Sequence, residues 1–172
     1  MQKILFVFLI VFSFTVAFPQ DINQTIHDGD SGKPMLIGFC NREAFSDTSF
    51  SWWFNSGYNL YKPDSGTVSG IKKDLNNIRT TIVMGTWCSD SREQVPHYFK
   101  VMDEAGYTGD SLNIICVDRE KKDLSGEVDS LNIELVPTFI FYRDDKEIGR
   151  IIETPEQTIE EDIYSILKNS TE

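Results

Sequence analysis

The chain has 172 residues, with 27 acidic against 16 basic side chains and a formal net charge of −11 at pH 7. Such an acidic surface repels nucleic acid and anionic lipid, so neither is an expected partner, and solubility is the ordinary use of the charge. His27 and His97 stand far from any cysteine pair, which gives no zinc pattern, and Cys40, Cys88 and Cys116 form an odd set that matches no disulfide framework and leaves at least one thiol unpaired.

Residues 1–18 carry one positive charge, Lys3, followed by an apolar run from Ile4 to Phe12 and then Phe14, Val16 and Ala17. The pattern is that of a secretory signal peptide cut after Ala17. Its apolar core is shorter than the roughly 20 residues of a spanning helix, so no stable membrane insertion is expected after cleavage. The expected location is therefore exported, periplasmic or extracellular. About 150 residues remain, enough for one domain with a real core and too few for two.

Residues 19–34 are mostly Asp, Asn, Gln, Gly, Ser and Thr and read as a flexible lead-in. Residues 35–64 form an aromatic N-terminal extension containing Met35, Leu36, Ile37, Phe45, Phe50, Trp52, Trp53, Phe54, Tyr58 and Tyr61. Short helices are expected there, one capped by Asn41 and another starting at Ser49 or Ser51 and ending at Gly57. Trp52 and Trp53 suit either a ligand platform or the core; core packing is the preferred reading, because aromatic side chains are mainly buried payload.

The main domain is expected over residues 65–172. Val68, Ile71, Leu75 and Ile78 predict a helix over 64–78, and Thr80 to Thr86 reads as a strand. A helix over 90–104 follows, with Val95, Tyr98, Phe99 and Met102 on one face, a bend at Pro96, and Gly106 and Gly109 closing it. Leu112 to Val117 is an apolar run of central-strand length, and 123–131 reads as a further helix. Thr138–Arg143 and Glu147–Glu153 are joined by a turn short enough to require an antiparallel hairpin. Thr154-Pro155-Glu156-Gln157 has the form of a helix start, leading into an amphipathic helix with Ile159, Ile163, Ile166 and Leu167.

The chemistry concentrates at Cys88. The apolar, β-branched run beginning Thr81-Ile-Val-Met ends in Trp87-Cys88 and passes at once into helix-starting residues Ser89-Asp90-Ser91. A cysteine in the first turn of a helix has unpaired N–H groups and the positive end of the helix dipole beside it, and both favour thiolate. Asp90 opposes that charge and Arg92 favours it. Ser91 stands where a second cysteine would complete Cys-x-x-Cys, so the pattern offers one nucleophilic sulfur and no adjacent resolving one.

Trp87 and Cys88 at a strand-to-helix junction, Pro96 eight positions later, and Val136-Pro137-Thr138 opening the hairpin together resemble the thioredoxin superfamily over roughly residues 71–167. More narrowly, Gly85-Thr-Trp-Cys-Ser-Asp-Ser and Glu93-Gln-Val-Pro96 resemble exported bacterial thioredoxin-like proteins with a Cys-x-x-Ser motif. The resemblance implies an α/β, thioredoxin-like three-layer fold with a central mixed sheet flanked by helices. It also implies a cis Pro137 against Cys88, with the backbone of Val136 open to an extended substrate and Thr86 and Ser89 beside it. Catalytic roles would fall on Cys88, Ser91, Trp87 and Pro137. The family's buried acid six residues before the nucleophile is replaced by Ile82, and Ser91 can donate to a thiolate but cannot attack a mixed disulfide.

The expected activity is monothiol thiol–disulfide exchange on a protein or small-molecule disulfide, with no resident cofactor and with an external thiol such as glutathione or a partner dithiol. The alternative is a redox-inactive thioredoxin-fold module that binds peptides. Cys116, on the strand expected beside that of Cys88, and Cys40 in the extension are the candidate resolving thiols, with small-residue core packing as the competing role. Asp118, two residues after Cys116, is a candidate to orient Trp87. Peroxide reduction lacks the upstream Thr and Pro it would need.

Overall fold

The computed structural model describes residues 21–108 and 111–170, so the expected signal peptide and Gly109 lie outside the described residues. Two strands, β1 (Gln24–His27) and β2 (Pro34–Cys40), lead into a 3-10 turn (Arg42–Ser46) and helices α1 (Thr48–Leu60) and α2 (Ser65–Lys73). Then come β3 (Ile78–Met84), α3 (Ser89–Ala105), β4 (Leu112–Cys116), a 3-10 turn (Glu127–Ser130), the hairpin β5 (Thr138–Arg143) and β6 (Lys146–Ile152), and α4 (Ile159–Asn169). The strands form one mixed sheet in the order β1-β2-β4-β3-β5-β6, flanked by four α-helices. Among the described strands only β3 and β4 run parallel, as the helical crossover through α3 requires.

Strand alternation divides the interior in two. Ile82 and Met84 of β3, Ile114 and Cys116 of β4 and Phe139 and Phe141 of β5 join side chains of all four helices in the larger cluster. Val83, Ile115 and Val117 point the other way, meeting Val128 and Val136 of the connections, with Trp87 and Cys88 packed against them. The Trp87–Cys88 junction therefore belongs to the smaller cluster.

The N-terminal part departs from its sequence reading. Residues 24–27, expected in a flexible lead-in, form β1, and Met35-Leu36-Ile37, expected in a helix, lie in β2. Three consecutive apolar residues fit both periods, and pairing decided between them. Gln24 to His27 pair antiparallel with Ile37 to Pro34, whereas Gly38 and Cys40 pair with Cys116 and Ile114 of β4. The strand changes partner at Gly38, whose φ of 75° is a conformation a side chain would strain.

The helix expected over 123–131 shrinks to the 3-10 turn over 127–130. The Asp123 carboxylate accepts the N–H groups of Ser125 and Gly126, at 3.1 and 3.0 Å, and so offers the backbone a turn in place of a helix. The last helix begins four residues later than Thr154 suggests. Thr158 caps α4 through the Glu161 N–H while the Glu161 carboxylate accepts the Thr158 N–H, a reciprocal box formed by Thr158 and Glu161 in place of Thr154 and Gln157.

The aromatic extension is a packing device for α3. Phe45 stacks on Phe54 at 4.8 Å, and Phe54 meets Phe99 edge-on at 5.4 Å. Gly57 lets α1 close on α3, because a Cβ there would sit 2.6 Å from the ring of Pro96. The two tryptophans part ways: Trp53 is buried, while Trp52 is 65% exposed with its indole N–H on the Ser49 carbonyl.

A buried carboxylate ties the extension to the last helix. Glu160, in the first turn of α4, accepts the Tyr61 hydroxyl at 2.5 Å and the Asp64 N–H at 2.9 Å. Replacing Tyr61 with Phe leaves that carboxylate one donor short inside the protein. Urea unfolding of Tyr61→Phe is expected to show a loss of about 1–2 kcal/mol, and an unchanged midpoint would contradict a structural role for this bond.

Candidate functional site

Four residues, Gly85 to Cys88, carry the chain from the end of central strand β3 into α3. Cys88 N–H donates to the Gly85 carbonyl at 3.0 Å, and the Arg92 N–H donates to the Cys88 carbonyl at 3.2 Å, so the turn and the first helical bond fix the residue from both sides. Cys88 is the N-cap of α3 and supplies no side-chain cap to it. The first-turn N–H groups thus remain beside the sulfur without a side-chain acceptor from that position.

The Cys88 Sγ is half-buried and donates to the Val136 carbonyl at 3.1 Å. The Val136–Pro137 peptide bond is cis, and β5 follows at once. The more distant Asp90 carboxylate lies 3.9 Å from the sulfur. Trp87, Cys88, Val136 and Pro137 are thereby brought together, with Ser89 exposed at their edge. Gly85 permits this arrangement, since a Cβ there would stand 2.5 Å from the Trp87 indole.

Thr86 and Ser91 are placed differently from their sequence reading. Thr86 is 2% exposed; its hydroxyl accepts the Leu36 N–H at 3.1 Å and its carbonyl accepts Arg92 Nε at 2.6 Å. Its oxygens fasten β2 and α3 to the junction. Ser91 is fully buried, and its hydroxyl accepts the Gly85 N–H at 3.3 Å, holding the end of β3 to the first turn of α3. Ile82, where the resemblance would place an acid, is also fully buried.

Trp87 is oriented by neighbours on either side of Asp118 in sequence. Its indole N–H donates to the Val117 carbonyl at 2.9 Å, and the Arg119 guanidinium lies 5.1 Å from the ring centre. Asp118 itself closes a turn by accepting the Glu120 and Lys122 N–H groups. Arg119 is held in turn by Asp28, through Nε at 2.9 Å and Nη2 at 2.8 Å. Asp28 is only 3% exposed and also accepts the Ser31 hydroxyl at 2.5 Å. The local signal was the Asp28-Gly-Asp-Ser-Gly stretch, a tight-turn sequence whose charge partner lies 91 residues away.

Cys40 and Cys116 are buried, and Cys116 projects into the large helix-lined cluster, on the other side of the sheet from the Cys88 cluster. The alternation of β4 separates them: Ile115 and Val117 face the Trp87–Cys88 side, and Cys116 between them does not. The structure thus sets the two candidate resolving cysteines on paired strands in one cluster, and Cys88 against the other.

No protein-family model matches the sequence, and no curated protein matches it. Among solved structures, a protein of unknown function from Pseudomonas aeruginosa is similar at a TM-score of 0.50 and 11% identity, covering 70% of this chain and 82% of that one. Thioredoxin O2 from Arabidopsis thaliana, in its oxidised state, gives 0.38 at 17% identity, covering 60% and 83%. A mutant thioredoxin from Halobacterium salinarum gives 0.38 at 13% identity, covering 58% and 80%. The likeness at a TM-score of 0.50 speaks to fold alone. The β3-α3-β4 crossover, the β5-β6 hairpin and the closing helix α4 make the fold thioredoxin-like, with β1, β2 and α1 added before it.

The grip on Arg119 carries a pH signature. The Arg119 guanidinium, and after it the Ser31 hydroxyl, hold the Asp28 carboxyl well below the usual carboxylate range. A carboxyl depressed in the folded state stabilises fully above its unfolded value of about 3.9 and loses that contribution as the pH falls below it. Asp28→Asn is expected to lower the melting temperature at pH 7, with the gap to wild type closing as the pH is taken below about 4. A gap that stays constant through that range would contradict the assignment.

Proposed function

We propose that this protein performs monothiol thiol–disulfide exchange through Cys88. The observation that carries the reading is a half-buried sulfur at the N-cap of α3, 3.1 Å from the carbonyl that precedes Pro137. A sulfur so placed is accessible from one side, while the backbone N–H groups of the first helical turn accompany negative charge on it. Trp87, steadied by Val117 and Arg119, forms one wall, and Ser89 lies at the rim.

In the first step Cys88 loses its proton to water and its thiolate attacks one sulfur of a protein or small-molecule disulfide. The substrate S–S bond breaks, a Cys88 mixed disulfide forms, and the departing thiolate takes up a proton. Ser91 is buried and has no sulfur, and Cys116 faces the opposite cluster, so the second step belongs to an external thiol such as glutathione or a partner dithiol. Its thiolate attacks the substrate-derived sulfur of the mixed disulfide, releasing Cys88 and carrying away the new disulfide. No resident cofactor enters either step. We place this chemistry in an exported, periplasmic or extracellular setting, on the strength of the leader pattern and the resemblance to exported thioredoxin-like proteins.

A buried Ile82 where thioredoxins carry an acid, and the absence of a sulfur at position 91, favour one other reading, a redox-inactive module that holds an extended peptide beside Val136. Insulin disulfide reduction supported by added glutathione separates the two. The exchange reading predicts activity that Cys88→Ala abolishes, and a glutathione adduct on Cys88 after treatment with oxidised glutathione. Activity unchanged in Cys88→Ala would overturn the catalytic assignment. A wild-type protein that neither forms the adduct nor reduces insulin would leave the binding module standing.

A further inference from the structure

The two sulfurs on the other side of the sheet have a geometry of their own. Cys40 ends β2 and Cys116 ends β4, on hydrogen-bonded antiparallel neighbours whose register sets Gly38 opposite Cys116 and Cys40 opposite Ile114. The cysteines are thus diagonal neighbours, and both side chains enter the helix-lined cluster, so they share a face. The Cys40 Sγ leans back along its strand to donate to the Gly38 carbonyl at 3.6 Å, toward the residue that pairs with Cys116. The interaction between the two thiols draws the Cys40 thiol down and, together with burial, pushes the Cys116 thiol up.

We propose that Cys40 and Cys116 are a second redox centre, separate from Cys88, which closes into a disulfide joining β2 to β4 when a glutathione-type disulfide oxidant is present. The Cys40 thiolate attacks the oxidant R–S–S–R, forming Cys40–S–S–R and releasing one RSH. The Cys116 thiolate then attacks the Cys40 sulfur and expels the second RSH. One S–S bond is broken and one formed, and the two thiol protons end on the two released thiols. Cys116 is fully buried and Cys40 is 9% exposed, so closure is expected chiefly while the chain is folding. The cross-link pins β2, and with it the hairpin turn whose Asp28 grips Arg119 over Trp87. The odd cysteine count then resolves into one pair and one reactive single sulfur.

The test is independent of the chemistry at Cys88. A Cys88→Ser chain is refolded from the reduced, denatured state in a mixture of reduced and oxidised glutathione, and in parallel the folded, reduced chain is treated with oxidised glutathione. Wild-type protein alkylated at Cys88 before denaturation provides the same test without a substitution. The expected result, in refolding at least, is the loss of two hydrogen atoms per chain, reversed by reductant. A proteolytic fragment linking Cys40 to Cys116 should accompany it, with a higher melting temperature than the reduced form. Two alkylatable sulfurs under both regimes would overturn the proposal, as would unblocked wild type that links Cys88 to either cysteine in place of the pair.

Discussion

The structure depends on how one central strand ends. β3 is paired on both sides, by β4 and β5, so its last residues have little freedom, and the four residues after it must turn into α3 within that constraint. The turn is fastened from inside: Gly85 carries the Trp87 ring and gives its N–H to Ser91, and Thr86 takes Leu36 and Arg92. What emerges is a sulfur at a helix N-cap whose position is set by strand, helix and the Val136 carbonyl together. Its surroundings are therefore a property of the fold and need no contribution from a mobile side chain.

The additions before the thioredoxin-like core reinforce this junction from a distance. α1 closes on α3 through Gly57 and Pro96 and through the aromatic contacts of Phe45, Phe54 and Phe99. The β1–β2 hairpin extends the sheet beyond β4 and delivers the buried Asp28 carboxylate to Arg119, which lies over Trp87. A buried charge without a partner is costly, so the pairing of Asp28 with Arg119 couples formation of the hairpin to the position of the guanidinium. The same β2 strand holds Cys40 beside Cys116, and it meets the junction again where the Leu36 N–H reaches Thr86.

The core from β3 onward was legible in the sequence because each element has one dominant local signal. β3 and β4 are apolar runs of strand length, α3 has a face of Val95, Tyr98, Phe99 and Met102, and β5 and β6 flank a short polar turn. Local rules failed where partners are distant or where two local signals compete. Composition marked residues 24–27 as loose, yet strand pairing is a backbone interaction that composition does not report. Asp123 competed successfully with the helix period around it, and Thr158 with Glu161 outcompeted an earlier cap of similar form. At the site, Trp87, Cys88, Val136 and Pro137 could be grouped from their order along the chain, whereas Asp28 and Arg119 are joined by an ion pair that no local spacing reveals. The side of the sheet that Cys116 faces follows from strand parity, but its nearness to Cys40 needed the register of β2.

The central claim is that one of three sulfurs is reactive in the folded protein because of where it sits. Timed alkylation of the native, reduced chain, followed by mass analysis of each cysteine-containing fragment, tests this directly. Cys88 should be modified while the protein remains folded, and Cys40 and Cys116 only when denaturant opens the sheet. Modification of the buried pair before Cys88, or equal protection of all three until unfolding, would contradict the account.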